Sequence, residues 1–476
     1  VVLGALVLFA GAVGAGGRGV SSGEEGTPAD TFEALAGRVG RAEAWQRLYG
    51  RAPGAPEPSS PASSTATTVL TDTPLLTPTI YFPLIERSVA SMVERRAVWV
   101  TRYDWTQFNT VPTPESIDRL VAKVAGAGFN TIFFQVRAAG DAYYASDLEP
   151  WAARLTGSTW ETLGQDPGWD PLARMVEQAH AAGLEIHAYV NVYPAWQSPF
   201  TETYGTLWPP ATTPPQMFDR FTYGPDYAAH PGEYALVYDW RQHSMDGRPM
   251  PLNWNSYLWA SPGLDEVRDY VISVTTEIVT RYEVDGLHLD LVRYAGPGYS
   301  YDPASNAAAG EIKSAERDRW QRERVTDLVT RVHSATLAIR PEAWVTAAVW
   351  PYYKDVWGWG LSEGYYDYYQ DSQGWLASGA VDGIAPMLYG GQADDFTRWQ
   401  ALMEDFVASS GGRHVYPGIG GNYEDFTEIK RRIEVARRAG APGHALFSYQ
   451  ALEARDFWDD LAAGPYAVPA VAPERP

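Results

Sequence analysis

Val284-Asp285-Gly286-Leu287-His288-Leu289-Asp290-Leu291-Val292-Arg293-Tyr294 is the stretch whose alternation decides the fold. Leu287, Leu289 and Leu291 share one face of a period-two strand, and Gly286, His288 and Asp290 share the other. A sandwich strand would turn that polar face to water. The helical pattern just before it, Leu264 to Tyr282, points instead to a βα repeat in which both faces are covered. The polar side chains then enter a barrel lumen. Asp290 falls near the carboxyl end of the strand, where active sites of (β/α)8 barrels lie.

Outward from this stretch, strand-like and helix-like patterns take turns from Arg96 to Pro465. The strands are expected at Arg96 to Thr101, Thr131 to Arg137, Leu184 to Asn191, Gly286 to Leu291, Trp344 to Trp350, Gly383 to Tyr389, His414 to Gly420 and His444 to Tyr449. Amphipathic stretches separate them, among them Pro114 to Gly126, Asp170 to Ala182, Arg317 to Ala338, Phe396 to Ser409 and Phe426 to Ala439, several closed by glycine. Eight such alternations argue for an α/β fold of the (β/α)8 TIM-barrel kind. Residues 192 to 260, between the third and fourth strands, are too many for a simple connection and read as a long insertion facing the substrate.

The remaining chain reads differently. Val1 to Gly17 is apolar and small-residue rich, the signature of an export signal or a short amino-terminal anchor. Residues 18 to 91 read as a disordered low-complexity extension with one short helix at Asp30 to Tyr49. The catalytic domain is expected over 92 to 465 and a tail over 466 to 476. This organisation implies an extracellular or cell-envelope protein that meets a membrane only through its amino terminus. A net charge of −21 argues against nucleic acid or anionic lipid as partner, and the absence of cysteine removes thiolate zinc sites and a Cys nucleophile. The excess lies in aromatics, with 19 Trp and 29 Tyr, side chains that serve both as packing and as platforms for sugar rings. Oligomeric state leaves no mark on the sequence.

The polar faces of the strands nominate a site. Thr131, Gln135 and Arg137 alternate with Ile132, Phe134 and Val136, while Glu185, His187, Tyr189 and Asn191 alternate with Leu184, Ile186, Ala188 and Val190. Arg137, His187, Asn191, His288 and Asp290 are therefore expected to converge on one pocket, with Trp350, Tyr389 and Tyr449 at later strand ends. Asp290 suits a nucleophile, a base or a stabiliser of positive charge, and Arg293 and His288 stand near enough in sequence to hold it ionised. The ordinary alternative is a structural ion pair with Arg293. Glycoside hydrolysis commonly needs a second carboxyl group, for which Asp141 and Asp371 are candidates, each equally readable as a turn-capping Asp. Asp104 and Glu424 are weaker entrants in loops after strands. His187 and His288 lack a clear third ligand, so no metal site is assigned. Trp99, Trp105, Trp350, Tyr352, Tyr353, Trp357, Trp359 and Tyr389 gather near strand ends and tilt the reading towards a carbohydrate groove.

The run Phe129-Asn130-Thr131-Ile132-Phe133-Phe134-Gln135-Val136-Arg137, with Gly140-Asp141-Ala142-Tyr143 and Pro150-Trp151 after it, resembles the second-strand block of the glycosyl hydrolase-like 10 family. Asp166 to Leu172, Ala179 to Asn191, Val284 to Tyr294 and Val381 to Tyr389 are similar to its later blocks, so the resemblance spans about Arg95 to Tyr449. It implies an exported bacterial (β/α)8 glycosidase-like protein acting on a polysaccharide, cell-wall glycan among the substrates. Two positions depart from the family pattern: Ala138 stands where Pro follows the strand-end Arg, and Met387 where Gln precedes Leu-Tyr. The second removes a lumen amide and with it one way of recognising a sugar hydroxyl. The sequence thus predicts a glycoside hydrolase without cofactor, with Asp290 as nucleophile or charge-stabilising carboxylate and Asp371 or Asp141 as general acid. Arg137, His187, Asn191, His288, Arg293, Trp350, Tyr389, Tyr449 and Asp104 are expected to contact a polysaccharide or oligosaccharide. The competing readings are a catalytically silent glycan-binding surface protein and a metal-dependent deacetylase.

Overall fold

Eight runs of alternating side chains form parallel strands in the computed structural model, which describes residues 91–107, 109–157, 160–197, 209–223, 240–252 and 256–476. The expected leader, and the linker up to residue 90, lie outside the described residues. The strands are β1 (Arg95–Val100), β2 (Thr131–Arg137), β3 (Glu185–Asn191), β4 (Gly286–Asp290), β5 (Trp344–Val349), β6 (Gly383–Pro386), β7 (His414–Val415 continued by Gly418–Gly420) and β8 (Gly443–Phe447). Each of the first six pairs with the next, and β8 pairs with β1. β7 closes the ring in two pieces, the first on β6 and the second on β8. The break falls at Tyr416-Pro417, where proline has no N–H to give to a ladder. The Tyr416 N–H still donates to the Ile384 carbonyl at 2.9 Å, and the Pro417 carbonyl accepts from Ala445 N–H at 3.2 Å. The sheet is therefore a closed (β/α)8 barrel, as the sequence predicts.

Between the strands run α1 (Pro114–Gly126), α2 (Pro171–Ala181), α3 (Asp265–Arg281), α4 (Ala315–Ile339), α5 (Ser372–Ser378), α6 (Phe396–Ala408) and α7 (Phe426–Arg438), and α8 (Tyr449–Arg455) follows β8. Local chemistry sets their limits. In α2, the Asp170 carboxylate accepts from the Leu172 and Ala173 N–H groups, Pro171 occupies the first turn, and Leu172, Met175, Val176 and Ala179 form the buried stripe. Outward-facing Ile132, Phe134, Val136, Ile186, Ala188, Val190, Leu287 and Leu289 join the core under the helices. Burying each of the larger ones is worth about 1.5–3 kcal/mol.

Trp99, Phe133, Tyr189 and Tyr416 fill the lumen together with Ala97, Ala385 and Ala445, so the barrel interior is packed. Gly286 is required there: a Cβ would come within 2.8 Å of the Trp344 carbonyl oxygen and 3.0 Å of His187 Nδ1. Of the excursion after β3, the described parts include an antiparallel ribbon, Pro194–Gln197 with Tyr257–Trp259, and a helix at Met217–Tyr223. The segment expected as a tail returns to the barrel's amino-terminal side, where Ala470–Val471 pairs with Met92–Val93.

Candidate active site

Asp290 ends β4 at the carboxyl rim and is 8% exposed. Its Oδ2 accepts from the Tyr189 phenol at 2.5 Å, and its Oδ1 accepts from the Leu291 N–H at 2.6 Å. Leu291 has φ of 50°, a left-handed conformation that costs a branched residue about 1–2 kcal/mol. That turn folds the Leu291 N–H back onto the carboxylate beside it. Burial pushes the Asp290 carboxyl group above the ordinary carboxylate range; the phenol, the Leu291 N–H and the Arg293 charge offset only part of the rise.

Arg293 approaches Asp290 without forming a close ion pair among the described residues. Its guanidinium carbon lies 5.1 Å from the Trp259 ring, 5.1 Å from Trp350 and 4.7 Å from Tyr368, an aromatic cage that holds the cation. Its Nη1 donates to the Tyr294 carbonyl at 2.9 Å, and its Nε is buried without a protein acceptor. Trp350 is fixed in turn, its indole N–H donating to the Ser362 carbonyl at 2.7 Å. Tyr389 feels the Asp290 charge and stacks on Phe447 at 4.5 Å. Asn191 is the direct strand partner of Asp290; its Nδ2 donates to the Ala138 carbonyl at 2.9 Å, and its Oδ1 is buried without a donor. The mouth thus brings together Asp290, Tyr189, Asn191, Arg293, Trp350 and Tyr389.

The single pocket expected of Arg137, His187, Asn191, His288 and Asp290 is not formed. A register shift between Gln135 and Arg137 sets Arg137 opposite Val190, and a one-residue slip exchanges the faces of a strand. Arg137 instead donates to Glu149 at 2.8 Å, and Glu149 also accepts from Tyr270 of α3. Both partners of this ion pair are fully buried. His288 sits one layer below Asp290. Its Nε2 accepts from the Trp99 indole N–H at 2.9 Å, its Nδ1 lies 2.9 Å from Thr346 Oγ1, and its ring stacks on Phe133 at 4.0 Å. An indole N–H can only donate, so the imidazole is neutral, and burial holds its pKa well below the usual value.

His187 lies lower still, on the barrel floor. Its Nε2 is 3.1 Å from Arg95 Nη1, and Arg95 also donates to Glu185 at 2.5 Å, Thr131 at 3.1 Å and the Tyr416 hydroxyl at 3.1 Å. The three acids expected across the mouth have local duties. Asp371 caps α5, accepting from Gly374 N–H at 3.1 Å and from the Tyr353 hydroxyl at 2.7 Å. Asp141 closes a turn by accepting from Ala139 N–H at 2.8 Å. Asp104 joins the ends of β1 and β8: it accepts from Thr101 N–H at 2.5 Å, and from the Ser448 hydroxyl and the Gln450 N–H at 3.2 Å each. Burial pushes the Asp104 carboxyl group up to about 6 against those donors. Tyr449 packs on Trp458 at 5.0 Å.

Two features of the mouth went unnominated. Tyr189 stands on the lumen-facing set of β3, two residues before Asn191, so its face was legible although its bond to Asp290 was not. Arg102 donates to Gln197 and to the Tyr257 hydroxyl, both at 2.7 Å, fastening both strands of the ribbon to the rim. No periodicity in the excursion announces that contact.

Fold and mouth together define a (β/α)8 protein with a buried strand-end carboxyl group under an aromatic rim, an arrangement suited to handling sugars. The chain belongs to the glycosyl hydrolase-like 10 family, whose sequence pattern matches residues 94–200 and 243–409 and leaves a gap within the excursion. It is 27% identical over 420 residues to the glycosyl hydrolase YngK of Bacillus subtilis, covering 80% of this chain and 74% of that one. It is 28% identical over 318 residues to the glycosyl hydrolase DigH of Escherichia coli K12, covering 62% of this chain and 65% of the relative. In three dimensions it is similar to the PgaB (BpsB) glycoside hydrolase domain from Bordetella bronchiseptica, with a TM-score of 0.51 and 14% identity over 80% of this chain and all of that domain. The last likeness bears on fold alone.

Proposed function

We propose that the protein hydrolyses O-glycosidic bonds in a polysaccharide and that Asp290 acts at the reacting sugar. The observation that carries this reading is the Asp290 carboxyl group, buried at the rim, gripped by Tyr189 and Leu291 N–H, and faced by a caged arginine. In its ionised form it is placed to attack the anomeric carbon or to stabilise positive charge there. The unpartnered Arg293 N–H and Asn191 carbonyl oxygen supply a donor and an acceptor for sugar hydroxyls. Asp104, raised to about 6, suits a general acid, because a proton donor must stay protonated near working pH; Asp371 and Asp141 are the other candidates for that role. The separation of the two carboxyl groups decides whether the configuration at the anomeric carbon is retained or inverted.

A bacterial cell-wall glycan is the substrate we favour, because the family relatives are glycosyl hydrolases of bacteria and Val1 to Gly17 reads as an export signal. The deacetylase reading loses ground because His288 has both ring nitrogens engaged within the lumen and His187 lies on the floor with Arg95. The experiment is to incubate wild type and Asp290→Asn with bacterial and plant polysaccharides and assay new reducing ends, released acetate and binding. Reducing ends that vanish in the variant are expected, and binding without product in wild type sinks the hydrolase. In wild type the Asp104 role predicts activity falling as pH rises through about 6, an alkaline limb that Asp104→Asn should abolish along with most of the rate.

A further inference from the structure

The loop that leaves β5 carries two indoles that the catalytic reading does not use. Trp357 and Trp359 stack with centroids 4.7 Å apart and planes 14° apart, each half-buried, while Val356 beside them is 71% exposed. A stacked indole pair on a surface loop is costly to hold against water unless the loop is built for it. This one is built. The Asp355 carboxylate accepts from Trp359 N–H at 2.9 Å and Gly360 N–H at 2.6 Å, and Gly358 and Gly360 take the positive φ values, 70° and 73°, that the turn demands.

The pair is continuous with the mouth. Trp350 cages Arg293, Tyr352 follows two residues later, and the Tyr352 ring meets Trp359 edge-on at 6.5 Å. From the neighbouring rim, Arg398 in the first turn of α6 brings its guanidinium 4.9 Å from the Trp359 ring and bonds Gln392. Trp359 has Trp357 on one face and the Arg398 guanidinium over its ring, so the flat apolar face the pair offers is the outer face of Trp357. With the Gln392 amide and the Arg398 guanidinium alongside the pair, it matches a pyranose, which offers an apolar C–H face and a ring of hydroxyls. The geometry points to a distal sugar subsite on Trp357 and Trp359 that holds a unit of a glycan chain whose other end lies at Asp290. This rests on the glycan reading above and adds that the protein selects long chains. Because the loop is fixed in advance by Asp355, little ordering is needed on binding.

The test is titration calorimetry of the full chain carrying Asp290→Asn, with and without Trp357→Ala and Trp359→Ala, against cello-, manno- and chito-oligosaccharides of two and six units. The best hexamer should bind about tenfold more weakly without the indoles, and its dimer within about twofold. Trp357→Ala alone, which leaves Trp359 packed on Tyr352, should weaken the hexamer about threefold and guards against a loss caused by loop collapse. Equal hexamer binding with and without the indoles overturns the subsite, as does the absence of hexamer binding by either protein. Hexamer binding that falls with the indoles, in a protein whose wild type releases no product, supports the subsite and sinks the hydrolase instead.

Discussion

The two ends of one lumen hold similar residues to opposite purpose. On the floor, Arg95 has a carboxylate, a histidine, a threonine and a tyrosine around it, and Glu185 is held down at about 2 although burial alone would raise it, because His187 and Arg95 outweigh that cost. At the mouth, Arg293 is caged by aromatic rings, and the Asp290 carboxyl group is raised by the same burial. Burial is common to both ends. What differs is whether the opposite charge is in hydrogen-bond contact: where it is, the carboxylate is held ionised in a structural pair, and where it is withheld, the carboxyl group proposed to be catalytic keeps its raised pKa.

The contrast can be broken most forcefully at Asp290 and Arg95. Asp290→Asn should lower turnover by roughly 10³-fold or more, while the unfolding midpoint at pH 7 stays level or rises, because a carboxylate that burial disfavours is replaced by a neutral isostere. Arg95→Met should do the reverse. It strands Glu185 beside His187 and should cost about 3–5 kcal/mol of stability, read by urea denaturation, with kcat of the folded fraction nearly unchanged. A large stability loss in the first variant, or lost turnover at full stability in the second, would erase the distinction between the ends.

A smaller effect separates them by pH. Glu185 titrates near 4.5 when unfolded and about 2 when folded, so its contribution is complete above pH 4.5 and is lost as pH falls towards 2. With its side chain 30% exposed, solvent screening leaves about 2 kcal/mol. Asp104 at the mouth slopes the other way: raised from 3.8 to about 6, it favours the folded state most at low pH and withdraws that favour as pH rises through 6. Unfolding midpoints between pH 3 and 7 should therefore flatten on the acid side in Glu185→Gln and on the neutral side in Asp104→Asn. Unaltered slopes in both would mean that neither carboxyl group is coupled to folding.

The barrel was legible because its evidence is periodic. Eight alternating runs and six of the helices lie within a few residues of where hydrophobic spacing puts them, since a covered sheet needs one apolar face throughout. The site was legible in part, and the limits are physical. Period two assigns a face but not a height: His288 and Asp290 share a face, yet at about 3.3 Å per residue they stand some 6.6 Å apart along the strand, enough to put one in the packed lumen and the other at the rim. Period two also assumes an unbroken ladder, and the irregularity before Arg137 sends that side chain to Glu149, an acid in a loop that no pattern marks. Asp371 next to Ser372 carried both a capping and a catalytic reading, and only coordinates reveal its bond to the Gly374 N–H.

The finest test of the mouth is the phenol on Asp290. The Tyr189 hydroxyl donates to Oδ2 and favours the ionised carboxylate, so Tyr189→Phe should raise the Asp290 pKa further while leaving the floor untouched. If Asp290 works as a carboxylate, the acid limb of kcat/KM should move upward by about one pH unit, making the variant roughly tenfold slower on that limb and closer to wild type as pH rises. Recovery with pH is the informative part. A variant that merely packed badly would lose activity evenly across the profile, and an unmoved acid limb with an alkaline limb displaced upward would mean that Asp290 works in its protonated form, which would transfer the nucleophilic role to another acid of the rim.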